Sequence, residues 1–212
     1  VATAPSVLVT DQFSNPVAGV AVTFAVASGG GSATGLAQTT DAGGVATLGS
    51  WQLGTTAGAN TLTASSTGLG GSPLTFHATG IAEAAGSLTV SAGEGQTATA
   101  NTAVATAPAV LVSDQYGNPV AGVAVTFAVA SGSGSLTGPN ATTGVNGIAT
   151  VGSWTLGNLA GANTLTAAAA GLTTVTFHAT SAADSAATIE LNGADNQTAT
   201  VDTNVSAAPS AI

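Results

Sequence analysis

Along most of the chain, apolar and polar residues alternate one by one, and the apolar set is rich in valine. A period of two belongs to strands with one face on a core, whereas a helix would repeat its apolar positions every three to four residues. The pattern reads most clearly in the middle of the chain. Residues 87–91 are predicted as a first strand with Leu88 and Val90 on one face, and 96–99 as its short continuation after a turn at Gly93-Glu94-Gly95. Residues 109–113 form the next strand. Gln115-Tyr116-Gly117-Asn118-Pro119 is a turn, because Asn and Gly tolerate left-handed backbone and Pro cannot donate to a ladder. Residues 123–130 follow, with Val123, Val125, Phe127 and Val129 facing the core, and then a Gly/Ser loop over 131–135. A short strand at Thr142-Thr143 leads through a hairpin turn at Val145-Asn146-Gly147 to residues 148–156, which carry Trp154. Residues 163–168 and 174–180 complete the set, with Val175, Phe177 and Ala179 on one face. Ala alternates with Thr and does not recur at helical spacing, so no helix is predicted. About seven or eight short strands with turns roughly every 8–12 residues predict an all-β fold of immunoglobulin-like sandwich type.

The pattern occurs more than once. Residues 5–29 and 108–132 differ at only four positions: Ser6/Ala109, Thr10/Ser113, Phe13/Tyr116 and Ser14/Gly117. Trp51 and Trp154 keep the same offset of 103 (154 − 51), whereas His77 and His178 stand 101 apart (178 − 77), which places a two-residue length change near 66–73. Residues 85–104 align with 186–205, again 101 apart. The expected organisation is therefore a repeat over 1–82 that lacks its first strand, a complete repeat over 83–183, and the opening strand segment of a further repeat over 184–212. A unit of about 100 residues is long for a solenoid repeat and suits an independent sandwich.

The run Asp114-Gln-Tyr-Gly-Asn118-Pro119-Val120-Ala-Gly122-Val-Ala-Val125-Thr-Phe127 resembles the group 1 bacterial immunoglobulin-like domain. So does the later series Thr142-Thr143, Gly147-Ile-Ala-Thr150, Trp154-Thr-Leu-Gly157 and Ala160-Gly-Ala-Asn163-Thr-Leu-Thr-Ala167. Both long copies and the partial one take part in the resemblance. That domain builds the stalks of invasin- and intimin-like adhesins and of other large bacterial surface proteins. The resemblance thus implies an extracellular rod of stacked domains, and it implies no ligand.

Charge narrows the partners. The 212 residues include no Lys or Arg and nine Asp or Glu, for a formal charge of −9. Without cations the chain neutralises neither phosphates nor anionic headgroups, which argues against nucleic acid and lipid surfaces as partners. Hydrophobic residues make up 44%, too many for a disordered segment. No apolar run approaches the roughly 18 residues of a membrane span, so no membrane insertion is expected. No signal peptide is visible at the start, and the chain is expected to be a mature or excised segment. Cys is absent, which rules out disulfides, and absent Lys rules out isopeptide cross-links. Trypsin-like proteases find no Lys or Arg to cleave at, a hint of exposure to proteases.

The candidate chemistry is sparse. Asp11 and Asp114 open equivalent turns; each reads as a calcium ligand or as a cap on the turn's amides, and capping is preferred because a hard cation needs about six to eight oxygens. Glu83 and Asp184 occupy equivalent junctions, where a calcium ion would need help from Asp41, Glu94 or Asp195. His77 and His178 each follow an inward Phe and should point outward, without a partner for catalysis. Trp51 and Trp154 would stack on sugars if exposed, but an inter-sheet position is preferred. Asn140 and Asn196 match a glycosylation acceptor pattern, read as chance. The glycines at 29–31 and 132–134 lack the context of a phosphate loop. No catalytic, cofactor-binding or metal residue is assigned. The expected function is a non-enzymatic structural repeat of an extracellular bacterial stalk or fibre; the alternative is an adhesive or carbohydrate-binding module.

The boundaries carry one sharper expectation. The first copy should expose an unpaired sheet edge, and the strand it lacks is present at residues 188–192. Its partners are then either neighbouring repeats of the same chain or identical chains head-to-tail, the strand of one completing the first copy of the next.

Overall fold

A computed structural model describes residues 1–193 and 195–203. It is all-β: eighteen strands and, among the described residues, no helix. The first eight are β1 (Ser6–Leu8), β2 (Ala21–Ser28), β3 (Ser32–Thr34), β4 (Ala37–Thr39), β5 (Val45–Thr47), β6 (Ser50–Gln52), β7 (Gly58–Ser65) and β8 (Leu74–Gly80). The other ten are β9 (Ser87–Ala92), β10 (Gln96–Thr99), β11 (Ala109–Ser113), β12 (Ala124–Ser131), β13 (Ser135–Thr137), β14 (Asn140–Thr142), β15 (Ile148–Thr150), β16 (Ser153–Thr155), β17 (Gly161–Ala169) and β18 (Val175–Ala182).

The strands enclose two separate apolar cores. In the second, a five-stranded sheet β10-β18-β17-β12-β14 faces a sheet β15-β11-β9 and the pair β13-β16. Val125, Phe127, Leu165, Ala167 and Phe177 meet Val110, Val112, Ala149 and Trp154 between them. Alternation explains this arrangement, since every second residue of β12 and β17 turns inward. The first core repeats it with Val22, Phe24, Leu62 and Ala64 against Val7, Val9, Ala46 and Trp51. Its sheets are β4-β2-β7-β8, β1-β5 and β3-β6. Strands β1 to β8 are the counterparts of β11 to β18, and β9 and β10 have none there.

A buried Asn closes one end of each sandwich. Asn163 accepts from Gly157 N at 3.0 Å and donates to Gly161 O and Ser181 Oγ, both at 3.1 Å. Gly132 lies against it with φ +91°, and a Cβ there would stand 2.1 Å from the Asn163 amide oxygen, so only Gly fits. Gly29 and Asn60 repeat the arrangement.

Several elements differ from the sequence expectation. Residues 148–156 form two strands, because β15 pairs with β11 while β16 pairs with β13. The chain changes partner at Gly152, where a Cβ would come within 2.8 Å of Thr137 O. The expected loop over 131–135 is shorter, with β12 running through Ser131 and β13 starting at Ser135. Leu88 is buried but Val90 is exposed, since β9 is an edge strand and its ladder shifts register beside Ala109. The β7–β8 connection is longer than the β17–β18 connection, which locates the length change between the copies. Residues 188–192 do not form a strand: a strand needs a partner ladder, and Leu191 makes only an isolated bridge. Residues 194 and 204–212 of the expected third segment lie outside the described residues.

Candidate functional site

Two features could do work between molecules: an open groove on the first sandwich and the junction between the two. The groove follows from what the opening segment does in the second sandwich. There β9 pairs antiparallel with β11, setting Leu88 opposite Val112, while β10 pairs parallel with β18. One segment therefore closes both sheets. It also adds Leu88 to the core.

Among the described residues the first sandwich has no such segment. β1 pairs with β5 alone, and β8 with β7 alone. Phe177 and Ala179 are buried, but their counterparts Phe76 and Ala78 are only half-buried. Leu8 is exposed. Where β9 would lie, a cleft of about 220 Å³ opens over Val7, Val9, Val22, Ala64, Leu69 and Leu74. The first sandwich thus presents a cleft with an apolar floor and a polar rim that includes Thr10, Ser65, Ser66 and Ser72, flanked by two strand edges unpaired among the described residues, a template for an added strand.

Two apolar side chains between 188 and 192 are exposed. Ile189 is 83% exposed and Leu191 69%, although Leu88, the counterpart of Ile189, is 7% exposed.

The junction is built on the turn after β11. Asp114 Oδ1 accepts from Tyr116 N and Asn118 N, both at 2.9 Å. Its Oδ2 accepts from Asn118 Nδ2 at 2.8 Å and from Glu83 N at 2.9 Å. Asn118 reaches across to the first sandwich, donating to Thr55 O and accepting from Ala57 N, each at 2.8 Å. Gln115 Nε2 donates to Glu83 Oε2 at 2.6 Å. Burial works against the Asp114 charge, but the bonds from the Asn118 side chain and from the Glu83, Asn118 and Tyr116 amides outweigh it and hold the carboxyl at about 2. Asp11 caps its own turn in the same way, accepting from Phe13 N, Asn15 N and Asn15 Nδ2 at 2.8, 2.9 and 3.0 Å. The Asn15 side chain leads the causes that lower its pKa. Nothing among the described residues covers that turn.

The remaining candidate residues are dispersed. Asp41 caps the turn before β5, accepting from Gly43 N and Val45 N. Asp184 and Asp195 accept from the amides that follow them. Among the described residues no three of His, Cys, Asp and Glu gather as a metal cluster would. Both His side chains point outward from their strands. His178 Nδ1 lies 2.8 Å from Glu94 Oε1, and its amide donates to Glu94 Oε2 at 3.0 Å, so the turn between β9 and β10 is pinned on β18. Sequence reasoning missed this pair because the two residues stand far apart in the chain. Trp51 and Trp154 are buried, so neither indole is placed to stack on a sugar. Asn140 accepts from Thr126 Oγ1 on the surface of β14, and Asn196 is exposed.

In sequence, no protein-family model and no curated protein matches the chain. In structure, it is similar to FdeC, an Escherichia coli adhesin, at 21% identity and a TM-score of 0.59, with 91% of this chain aligned. It is also similar to Yersinia pseudotuberculosis InvD, at 18% identity and a TM-score of 0.58, again over 91% of this chain. The chain spans 62% and 57% of those two structures. At these identities the likeness is one of fold: tandem immunoglobulin-like sandwiches of the kind found in bacterial adhesin structures.

Proposed function

We propose that this chain is a non-enzymatic structural module of an extracellular bacterial stalk or fibre, and that copies join head-to-tail by strand addition. The reading takes 1–82 as a repeat short of one strand segment, 83–183 as a complete repeat and 184–212 as the opening segment of a further one. One observation carries it: the cleft on the first sandwich lies where β9 packs in the second, and residues 188–192 repeat the β9 pattern with exposed apolar side chains.

The repeat sets the register. Val112 opposite Leu88 becomes Val9 opposite Ile189, and Leu111 opposite Thr89 becomes Leu8 opposite Glu190. Residues 197–200 then run parallel to β8 as β10 runs to β18, and Asp195 falls beside His77 as Glu94 does beside His178. Burying Ile189 contributes about 1.5–3 kcal/mol, and the two ladders supply the rest of the affinity. The contact joins unlike surfaces, so it propagates and does not close on itself as a two-fold dimer would.

The absence of native Cys makes a direct test possible. Leu8→Cys and Glu190→Cys fall opposite one another across antiparallel strands, within disulfide reach. Oxidation of the double variant should give a non-reducing ladder of dimers, trimers and higher species, and electron microscopy should show fibres. A single monomer band and isolated short rods at every concentration would instead mean a stalk whose cleft is filled from within its own array.

A further inference from the structure

The turn between β14 and β15 differs in chemistry from its copy in the first sandwich. It is closed by Gly147 N donating to Gly144 O at 2.9 Å and by Gly144 N donating to Ile148 O at 3.0 Å. The first sandwich builds the same turn from Asp41, Ala42, Gly43 and Gly44, where Asp41 Oδ1 accepts from Gly43 N and Val45 N. In the second sandwich Gly144 stands in place of Asp41, and Asn146 in place of Gly43. Asn146 Oδ1 takes over one of the bonds, accepting from Ile148 N at 3.2 Å. Asn146 is exposed, and the residue after it is a glycine with φ +72°. Only Asn146 and Asn192 are followed by Gly in this chain. Gly147 has no side chain to keep its nitrogen away from Asn146 Cγ. That nitrogen must first release Gly144 O, which is the opening of a single turn bond. The Ile148 amide already points at Oδ1, where negative charge develops when the side-chain carbonyl is attacked.

From this arrangement we propose that Asn146 is a site of spontaneous deamidation in the folded chain. Gly147 N gives its proton to hydroxide and attacks Asn146 Cγ. A bond forms between Cγ and Gly147 N, the bond from Cγ to Nδ2 breaks, and Nδ2 leaves as ammonia after taking a proton from water. Water then opens the cyclic imide. Opening at Cγ leaves Asp, and opening at the main-chain carbonyl leaves isoaspartate, with the backbone rerouted through Cβ and Cγ. Either product adds a negative charge. Isoaspartate also lengthens the backbone inside a turn where Gly147 O accepts from Val112 N at 2.8 Å and Ile148 pairs with Leu111. The product therefore loosens the second sandwich, while Gly43-Gly44 spares the equivalent turn of the first. The reaction does not depend on how copies of the chain join.

The test is to age the full chain in mildly alkaline buffer and follow it by mass spectrometry. Fragments that hold residue 146 should gain about 1 Da, with isoaspartate among the products. Asn146→Gln changes an exposed side chain and should fold normally, but its longer side chain closes a ring far less readily, so it should show no gain at that position. Asn192 should gain in both chains, which reports that the conditions drive the reaction. The rate at Asn146 in the folded chain should lie no more than about tenfold below its rate in the chain unfolded by guanidinium chloride. A larger shortfall, or no gain at residue 146, would overturn the proposal and mean that the turn shields Asn146. The aged chain should also unfold at a lower denaturant concentration than aged Asn146→Gln. Equal midpoints would overturn the loosening of the second sandwich.

Discussion

A single carboxylate illustrates how context changes one residue's work. Asp11 and Asp114 cap equivalent turns, but only Asp114 also bonds the linker amide of Glu83 and steadies the Asn118 side chain that crosses to the first sandwich. Its carboxyl is held at about 2, below the ordinary 3.8. A depressed acid stabilises the folded form when ionised. That contribution is fully present above pH 3.8 and is lost as pH falls towards 2. Small-angle scattering should therefore show the two sandwiches losing their fixed relation over that window. Asp114→Asn should look loosened already at pH 7, with little further change on acidification. The buried amides give a separate expectation. Asn163→Ala leaves Gly157 N and Gly161 O without their partner and should cost about 1–3 kcal/mol in denaturant unfolding.

At the scale of elements, the opening segment shows how position decides the value of a side chain. Leu88→Ala removes a buried side chain and should destabilise the second sandwich by about 2–5 kcal/mol. Ile189→Ala changes an exposed residue and should move the free chain's stability by no more than about 0.5 kcal/mol, yet it should weaken assembly. Chemical denaturation checks the first, and sedimentation of assembled material checks the second. Long strands with strict alternation, β12 and β17 among them, were legible in the sequence because one buried face imposes a period of two. The three-residue strand β13 and the break that parts β15 from β16 were not, since pairing there is decided by a partner chosen in three dimensions. The open edge was legible only because the chain carries its own control: comparing two copies shows that β9 and β10 have no counterpart among the described residues of the first sandwich. At the junction the capping by Asp114 was legible, but the contact from Asn118 to the first sandwich was not. Asn118 binds backbone atoms, which leave no mark on the sequence of the loop they belong to.

For the whole molecule, charge sets the conditions under which the proposed assembly would occur. Each chain bears −9 with no compensating Lys or Arg, so in the proposed fibre copies would repel until apolar burial and backbone pairing took over. Raising ionic strength from 0.01 to 0.15 M shortens the screening length from about 30 to about 8 Å and should speed fibre growth, as light scattering would record. Slower growth in salt would mean that attraction between opposite charges holds the chains, contrary to this reading.

The parallel pairing of β10 with β18 has a consequence under tension. These strands lie near the two ends of one repeat and are neighbours in one sheet. In a stalk under load, one would be drawn by its leading end and the other by its trailing end, in opposite directions. The force then runs along the strands, and all of their cross-links must give way together. Pulled at right angles, the same bonds would open one after another, like a zip. A rod built this way would resist a sudden tug better than one whose bonds open in turn.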